Sequence, residues 1–524
     1  MPKGAVVAIG LALLLPAGAA AQLVDRTQNP NSANAGIAKS LAQQVGAGRG
    51  NVNTPGSSLF IIARDPARAV RRGRQLFQRK FLAYQGHGPL LADGDGDIDT
   101  EVRLGAGLAD SCAACHGRPR GAAGVGGDVV TRPDSRDAPH LFGLGLKEML
   151  ADEITADLRG IRDEALREAR RRGSAVTRPL TSKGIHYGFI TARSDGTVDT
   201  ARVQGVDADL RVRPFFAHGG TISIREFVVG AFQAEMGLQA VDPDLATACA
   251  GGRVVTPGGM VLDGATDVVE CPPTADPAAD PDGDAVANEV PTSLVDFMEF
   301  YLLNYFKPGT HEQTPSAHRG RAIMTSLGCT RCHVPDLRVE RDRRVADVET
   351  VYDPLRGNPF NRLFATAVTL FGQVDDGSGH PALKRPAGER FVVKNIFTDF
   401  KRHDLGPNFH ERNYDGTVRT HFLTTPLWGV GTTAPYGHDG RSINLTEVIL
   451  RHGGEARRER DLFAALSARD REDVVSFLGS LVLFPPDDTP SNLDPGNPAT
   501  AGYPQVGGGS IRLGTLFNVP ADPE

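Results

Sequence analysis

Cys112-Ala113-Ala114-Cys115-His116, repeated as Cys329-Thr330-Arg331-Cys332-His333, decides what kind of fold this chain adopts. In Cys-x-x-Cys-His each thiol can add across one vinyl group of a haem, and the adjoining histidine can offer a ring nitrogen to the iron. With 6 cysteines and 14 histidines in 524 residues, chance supplies roughly 0.002 such motifs, so two copies are a signal. A zinc site or a thioredoxin-like pair can use Cys-x-x-Cys, but neither requires the following histidine nor explains the repetition. The expectation is two covalently bound haem c groups, on Cys112, Cys115, His116 and on Cys329, Cys332, His333.

The surroundings agree. Lys3 precedes an apolar run over 5–15, and Ala19, Ala20 and Ala21 lead to Gln22, the pattern of a secretory signal peptide over 1–21. That run is too short to span a bilayer, and no later one is long enough, so no membrane span is expected. Export to a periplasm suits covalent haem attachment, with retention at an uncleaved signal as the lesser alternative. Cys249 and Cys271 remain outside the motifs; in an oxidising compartment a disulfide worth roughly 3 kcal/mol is the simplest expectation, and two reduced thiols the other.

A chain of 524 residues with 40% hydrophobic and 23% charged content is globular and large enough for two cores. A net charge of −6 with dispersed arginines provides no basic field, which excludes nucleic acid as a partner class. Apolar spacing predicts helices over 67–81, 147–172, 224–237, 294–305, 319–327, 445–452 and 470–483, the last capped by Asp470. Strand signals are few. The fold class expected is mostly α: two c-type cytochrome domains packed together, with long loop insertions and few short strands. Residues 22–65 read as an extended arm, 66–309 and 310–485 as the two haem domains, and 486–524 as an extended or disordered tail.

Beyond the motifs, 425–441 (Thr425-Pro426-Leu427-Trp428-Gly429 through Pro435-Tyr436-Gly437-His438-Asp439-Gly440-Arg441) resembles the bacterial di-haem cytochrome c peroxidase superfamily. Arg136 to Leu146, with Pro139, His140 and Gly143, and the run Arg402-His403-Asp404-Leu405-Gly406 resemble its di-haem oxidoreductase branch, whose pattern rubber-oxygenase-type haem proteins share. The resemblance covers about 67–484 and is not specific for a substrate.

The resemblance implies that His116 serves a reactive haem with an open distal side and His333 an electron-transfer haem with a second protein ligand. For that ligand His452 is the first candidate and His438 its competitor. It also implies that Glu235, in Ala231-Phe232-Gln233-Ala234-Glu235, assists peroxide cleavage by moving a proton. Phe232 reads as core. Relatives carry a tryptophan near 214–220, where this chain has Phe215, Phe216 and His218; its one tryptophan is Trp428, which becomes the alternative aromatic relay. Asp93, Asp95, Asp97, Asp99 and Asp280, Asp282, Asp284, Asn288 place oxygens at alternating positions, as calcium loops do, without a complete EF-hand. Three functions are expected to compete: a peroxidase-like oxidoreductase fed by a small soluble redox protein, a haem dioxygenase on an apolar substrate, and an electron carrier with both irons closed.

Overall fold

Three short helices lead to the first motif: α1 (Leu41–Val45), α2 (Ser58–Arg64) and α3 (Pro66–Gln78). The computed structural model describes residues 40–81, 111–116, 127–128, 136–272, 276–280, 286–304, 309–310, 313–352, 363–413 and 415–482. The expected signal segment, the tail from 486, the acidic loop at Asp93 to Asp99, and Asp282 and Asp284 lie outside these residues. The expectation of an extended arm over 22–65 is corrected over its described part. Ser40 and Ser57 each accept a backbone N–H from the residue three positions on and start α1 and α2. Arg64 holds this segment in place through Val52, Asn53, Pro381 and Asp376.

The remaining helices are α4 (Cys112–His116), α5 (Leu144–Arg172), α6 (Ile224–Ala234), α7 (Pro243–Cys249), α8 (Thr292–Leu303), α9 (Pro315–Leu327), α10 (Leu445–Arg451), α11 (Arg457–Ala464) and α12 (Ala468–Gly479). Ser467, rather than Asp470, caps α12: its hydroxyl accepts the Asp470 N–H at 3.1 Å. Before each motif runs an Arg-Gly-Arg triplet, Arg72-Gly73-Arg74 on α3 and Arg319-Gly320-Arg321 on α9. These glycines are where the helices cross their partners. A Cβ on Gly73 would lie 2.4 Å from the Phe297 carbonyl oxygen of α8, and one on Gly320 1.9 Å from that of Asp473 in α12. Only glycine permits backbones to approach so closely.

The strand content corrects the mostly α expectation: the fold is mixed, with short antiparallel strands in nine small sheets among the described residues. The largest joins Val176–Ser182, Ile185–Ala192 and Val198–Asp199. Its first two strands meet at a two-residue turn, Lys183-Gly184, with φ of 50° and 80°. Hairpins turn tightly when both central residues take positive φ. Lysine in the first position hides a signal that asparagine would have displayed.

Instead of two cores, the described residues form three apolar clusters. One surrounds α4 with Phe81, Ala113, Phe215, Phe227, Phe232 and α8. A second packs α5 on the three-stranded sheet and on Trp428. The third gathers α9 and α12 with Phe397, Leu445 and Phe463 beside the second motif. Cys249 and Cys271 are bonded, with Cα atoms 5.9 Å apart, within the range a disulfide requires.

Candidate functional site

Both motif histidines are fixed the same way. His116 Nδ1 lies 2.7 Å from the Pro139 carbonyl oxygen, and His333 Nδ1 3.3 Å from that of Phe397. A carbonyl accepts only from N–H, so Nδ1 carries the proton and Nε2 keeps its lone pair for a metal. Burial pushes the His116 imidazole below its ordinary range, and burial, then the nearby His452, take His333 down to about 4. Neutral imidazole is the form that ligates. Cys112 and Cys115 share one face of α4, three residues apart, and Cys329 and Cys332 flank a 3-10 turn (Cys329–Arg331). These donors fit two haems.

Two matching helices stand across from the motifs. Ser223 caps α6 by accepting the Glu226 N–H at 3.1 Å, while Glu226 accepts the Ile222 N–H at 3.2 Å. Asn444 caps α10 likewise: it accepts the Glu447 N–H at 2.8 Å, and Glu447 accepts the Ile443 N–H at 3.0 Å. Each cap follows a His-x-Gly turn, His218-Gly219-Gly220 or His438-Asp439-Gly440. His452 ends α10, eight positions after its cap. Its Nδ1 bonds the Val448 carbonyl at 2.7 Å, again sparing Nε2, and its charge is felt by His333. The residue eight positions after Ser223 on α6 is Ala231. A Cβ built on the adjoining Gly230 meets nothing within 4 Å, so α6 borders open space at that residue.

Other expected residues fall as follows. Glu235 is the C-cap of α6, half-buried, four positions after Ala231 and therefore on the same face. Phe232 is buried in the first cluster and packs on Phe81. His218 stacks on Phe216 at 6.0 Å. His438 lies flat on Phe422 at 3.9 Å, with Nε2 3.9 Å from Glu411. Trp428 is buried, and its ring would meet a Cβ on Gly143 at 2.7 Å, which ties it to the start of α5. Asp280 is exposed; Asn288 Oδ1 accepts the Val241 N–H at 3.1 Å.

Sequence reasoning gave no role to four groups that matter here, although three of them lie in the runs that carry the resemblance. His140, just past Pro139, is buried, and burial first and then Lys147 take it down to about 3. Lys147 itself is pushed down to about 8 by burial. Arg136 forks onto Glu411 at 2.7 and 2.8 Å, joining the strand next to the first motif to the second half of the chain. His403 bridges buried Asp399 at 2.9 Å and more exposed Glu455 at 2.8 Å. Burial opposes charge on His403, but the bond to buried Asp399 raises its pKa. Cys332, Asp399 and His403 converge within 4.8 Å, so this group borders the second motif. The His-Asp-Leu-Gly run was the signal for His403; burial of Lys147 had none.

Residues 367–481 match the family model described as "Di-haem oxidoreductase, putative peroxidase". The resemblance carried by the His403, Trp428 and His438 runs is therefore found again over that segment, and it supports a di-haem redox role. Solved structures with a distant likeness include the hydrazine synthase of Kuenenia stuttgartiensis, at 12% identity and TM-score 0.24 over 63% of this chain and 92% of that one. Another is a MauG-like protein associated with microbial copper homeostasis, at 12% identity and TM-score 0.24 over 64% and 87%. Scores this low carry no argument about the site. Comparison with curated proteins finds no match. No helix among the described residues is long and apolar enough to cross a membrane.

Proposed function

We propose that this chain is an exported, periplasmic di-haem oxidoreductase of peroxidase type, with two c-type haem domains on Cys112, Cys115, His116 and on Cys329, Cys332, His333. Electrons from a small soluble redox protein enter at the second centre and are used at the first. The observation that carries this reading is the pair of matching helices: α10 ends in His452, near His333, while α6 has Ala231 in the corresponding place, next to the open space at Gly230. Bound haem would supply an iron that takes up and passes on electrons and can react with an oxidant where a coordination site is free. His116 and His333 would each hold one such group, and His452 would be a second ligand beside His333. Glu235, on the Ala231 face, moves a proton between the two oxygens of a peroxide held in that pocket.

A haem dioxygenase on an apolar substrate is the second reading, favoured by Phe215, Phe216 and Phe227, which pack together near His116. The test is a spectrum of the purified protein as isolated, after reduction, and after hydrogen peroxide, with His452→Ala alongside. One open and one closed haem with peroxide turnover supports the first reading, and loss of the closed-haem signal in His452→Ala supports the ligand. A persistent oxygen adduct without peroxide turnover selects the second. Two inert closed haems reject both.

A further inference from the structure

Lys147 lies deep in the protein yet keeps accessible surface, a combination it shares with the motif histidines His116 and His333 and with His452, where the two haems would enter. Its Nζ stands 5.5 Å from the centre of the Phe215 ring. Phe215 packs on Phe227 at 5.9 Å, and Phe227 lies 6.4 Å from the His116 ring. His140, bonded in sequence to Pro139, feels the charges of both Lys147 and His116. The amine therefore borders the first crevice from the α5 side.

What it lacks is an anion. Burial alone accounts for its downward shift, and no carboxylate among the described residues lies close enough to hold its charge. Nearby cations are treated differently: Arg343 reaches Glu148 at 2.7 Å and Lys183 reaches Glu153 at 2.6 Å. A buried ammonium needs a paired anion or must surrender its proton, and the face of one phenyl ring compensates only in part. A haem brings two carboxylates into its crevice on its propionate arms.

We propose that Lys147 Nζ pairs with a propionate of the haem held by Cys112, Cys115 and His116, an inference that rests on the haem reading above. The pair anchors one edge of the macrocycle and sets a positive charge beside it, which favours the reduced iron. Removing that charge lowers the potential of the first centre and leaves the second, across the chain, unchanged.

The experiment uses the full-length holoprotein with Lys147→Gln and Lys147→Arg. Mass spectrometry counts the haems, resonance Raman reads the propionate bending modes, and spectroelectrochemistry reads both midpoint potentials. The expected result is two haems on every variant, with the glutamine variant alone shifting a propionate mode and lowering the first potential. Unchanged modes and potentials in Lys147→Gln, with both haems present, overturn the pairing. So does conversion of a low-spin first haem to high spin, which would make the amine an iron ligand. If Lys147→Gln fails to retain the first haem, retention by Lys147→Arg supports the pairing and loss in both overturns it. Fewer than two haems on the wild-type chain removes the haem reading itself.

Discussion

Ala231→His puts into α6 the residue that α10 carries at the same distance from its cap, and its consequence can be worked through. Eight residues separate Ser223 from Ala231 and Asn444 from His452, so both side chains leave their helices in the same direction relative to the capped end. His452 Nδ1 is held by the carbonyl four residues back, at 2.7 Å from Val448; in α6 the carbonyl in that position belongs to Phe227. The new imidazole has open space on the Gly230 side. It is expected to direct Nε2 at the first iron and close it. If the closed form is populated to about 99%, the fraction able to admit peroxide is about 1%, and kcat/KM for peroxide falls about 100-fold, or about 2.7 kcal/mol. Optical and electron paramagnetic resonance spectra report the change from high to low spin, and steady-state turnover reports the loss. Ala231→Leu, equally bulky without a ligand, separates coordination from obstruction because it leaves the iron high-spin. A high-spin first haem in Ala231→His, with turnover within about twofold of wild type, would refute the equivalence of α6 and α10.

Arg225 is wholly buried and bonds Asp242, Asp296 and Glu299 from α6, so Arg225→Leu strands three buried carboxylates; chemical denaturation should show a loss of about 3–5 kcal/mol, and a loss below about 1 kcal/mol would mean that the acids simply protonate. Burial raises the capping Glu226 from 4.5 to about 7, against its bond from Ser223, so its neutral form is favoured in the fold. That contribution is complete below pH 4.5 and is lost as pH rises through about 7, amounting to at most about 3 kcal/mol. Denaturation midpoints of wild type should therefore decline across this window more steeply than those of Glu226→Gln, and parallel profiles would contradict the assignment. Reducing the Cys249 to Cys271 bond in the folded protein should cost roughly 3 kcal/mol in the same assay without altering the haem spectra.

Several features were legible because adjacent residues carry them. The Cys-x-x-Cys-His runs need only one turn of backbone to bring thiols and imidazole together, and helices such as α3, α9 and α10 announce themselves by apolar spacing. The run 425–441 carried the resemblance to the di-haem peroxidase superfamily and Arg402 to Gly406 that to its di-haem oxidoreductase branch, and both lie within residues 367–481, which match that family model. The hairpin around Lys183-Gly184 escaped notice because its turn residue is atypical, and the cluster that α5 builds on it escaped with it. The helix predicted over 147–172 is rich in charge, yet its Leu150, Ile154 and Leu158 are buried.

By itself, the order of residues determined the two Cys-x-x-Cys-His donor sets and the single disulfide partner available to Cys249, since each follows from covalent spacing or from what the composition leaves over. Only the tertiary structure decided that His452 lies near His333 while His438 rests on Phe422, that Ala231 stands on α6 at the distance from its cap where His452 stands on α10, and that Lys147 is buried with no paired carboxylate among the described residues. Those relations join residues far apart along the chain, and they are set by which helices cross at Gly73 and Gly320 and by what the packed clusters leave open between them. A side chain's chemistry is written locally, whereas what it confronts depends on how distant elements pack.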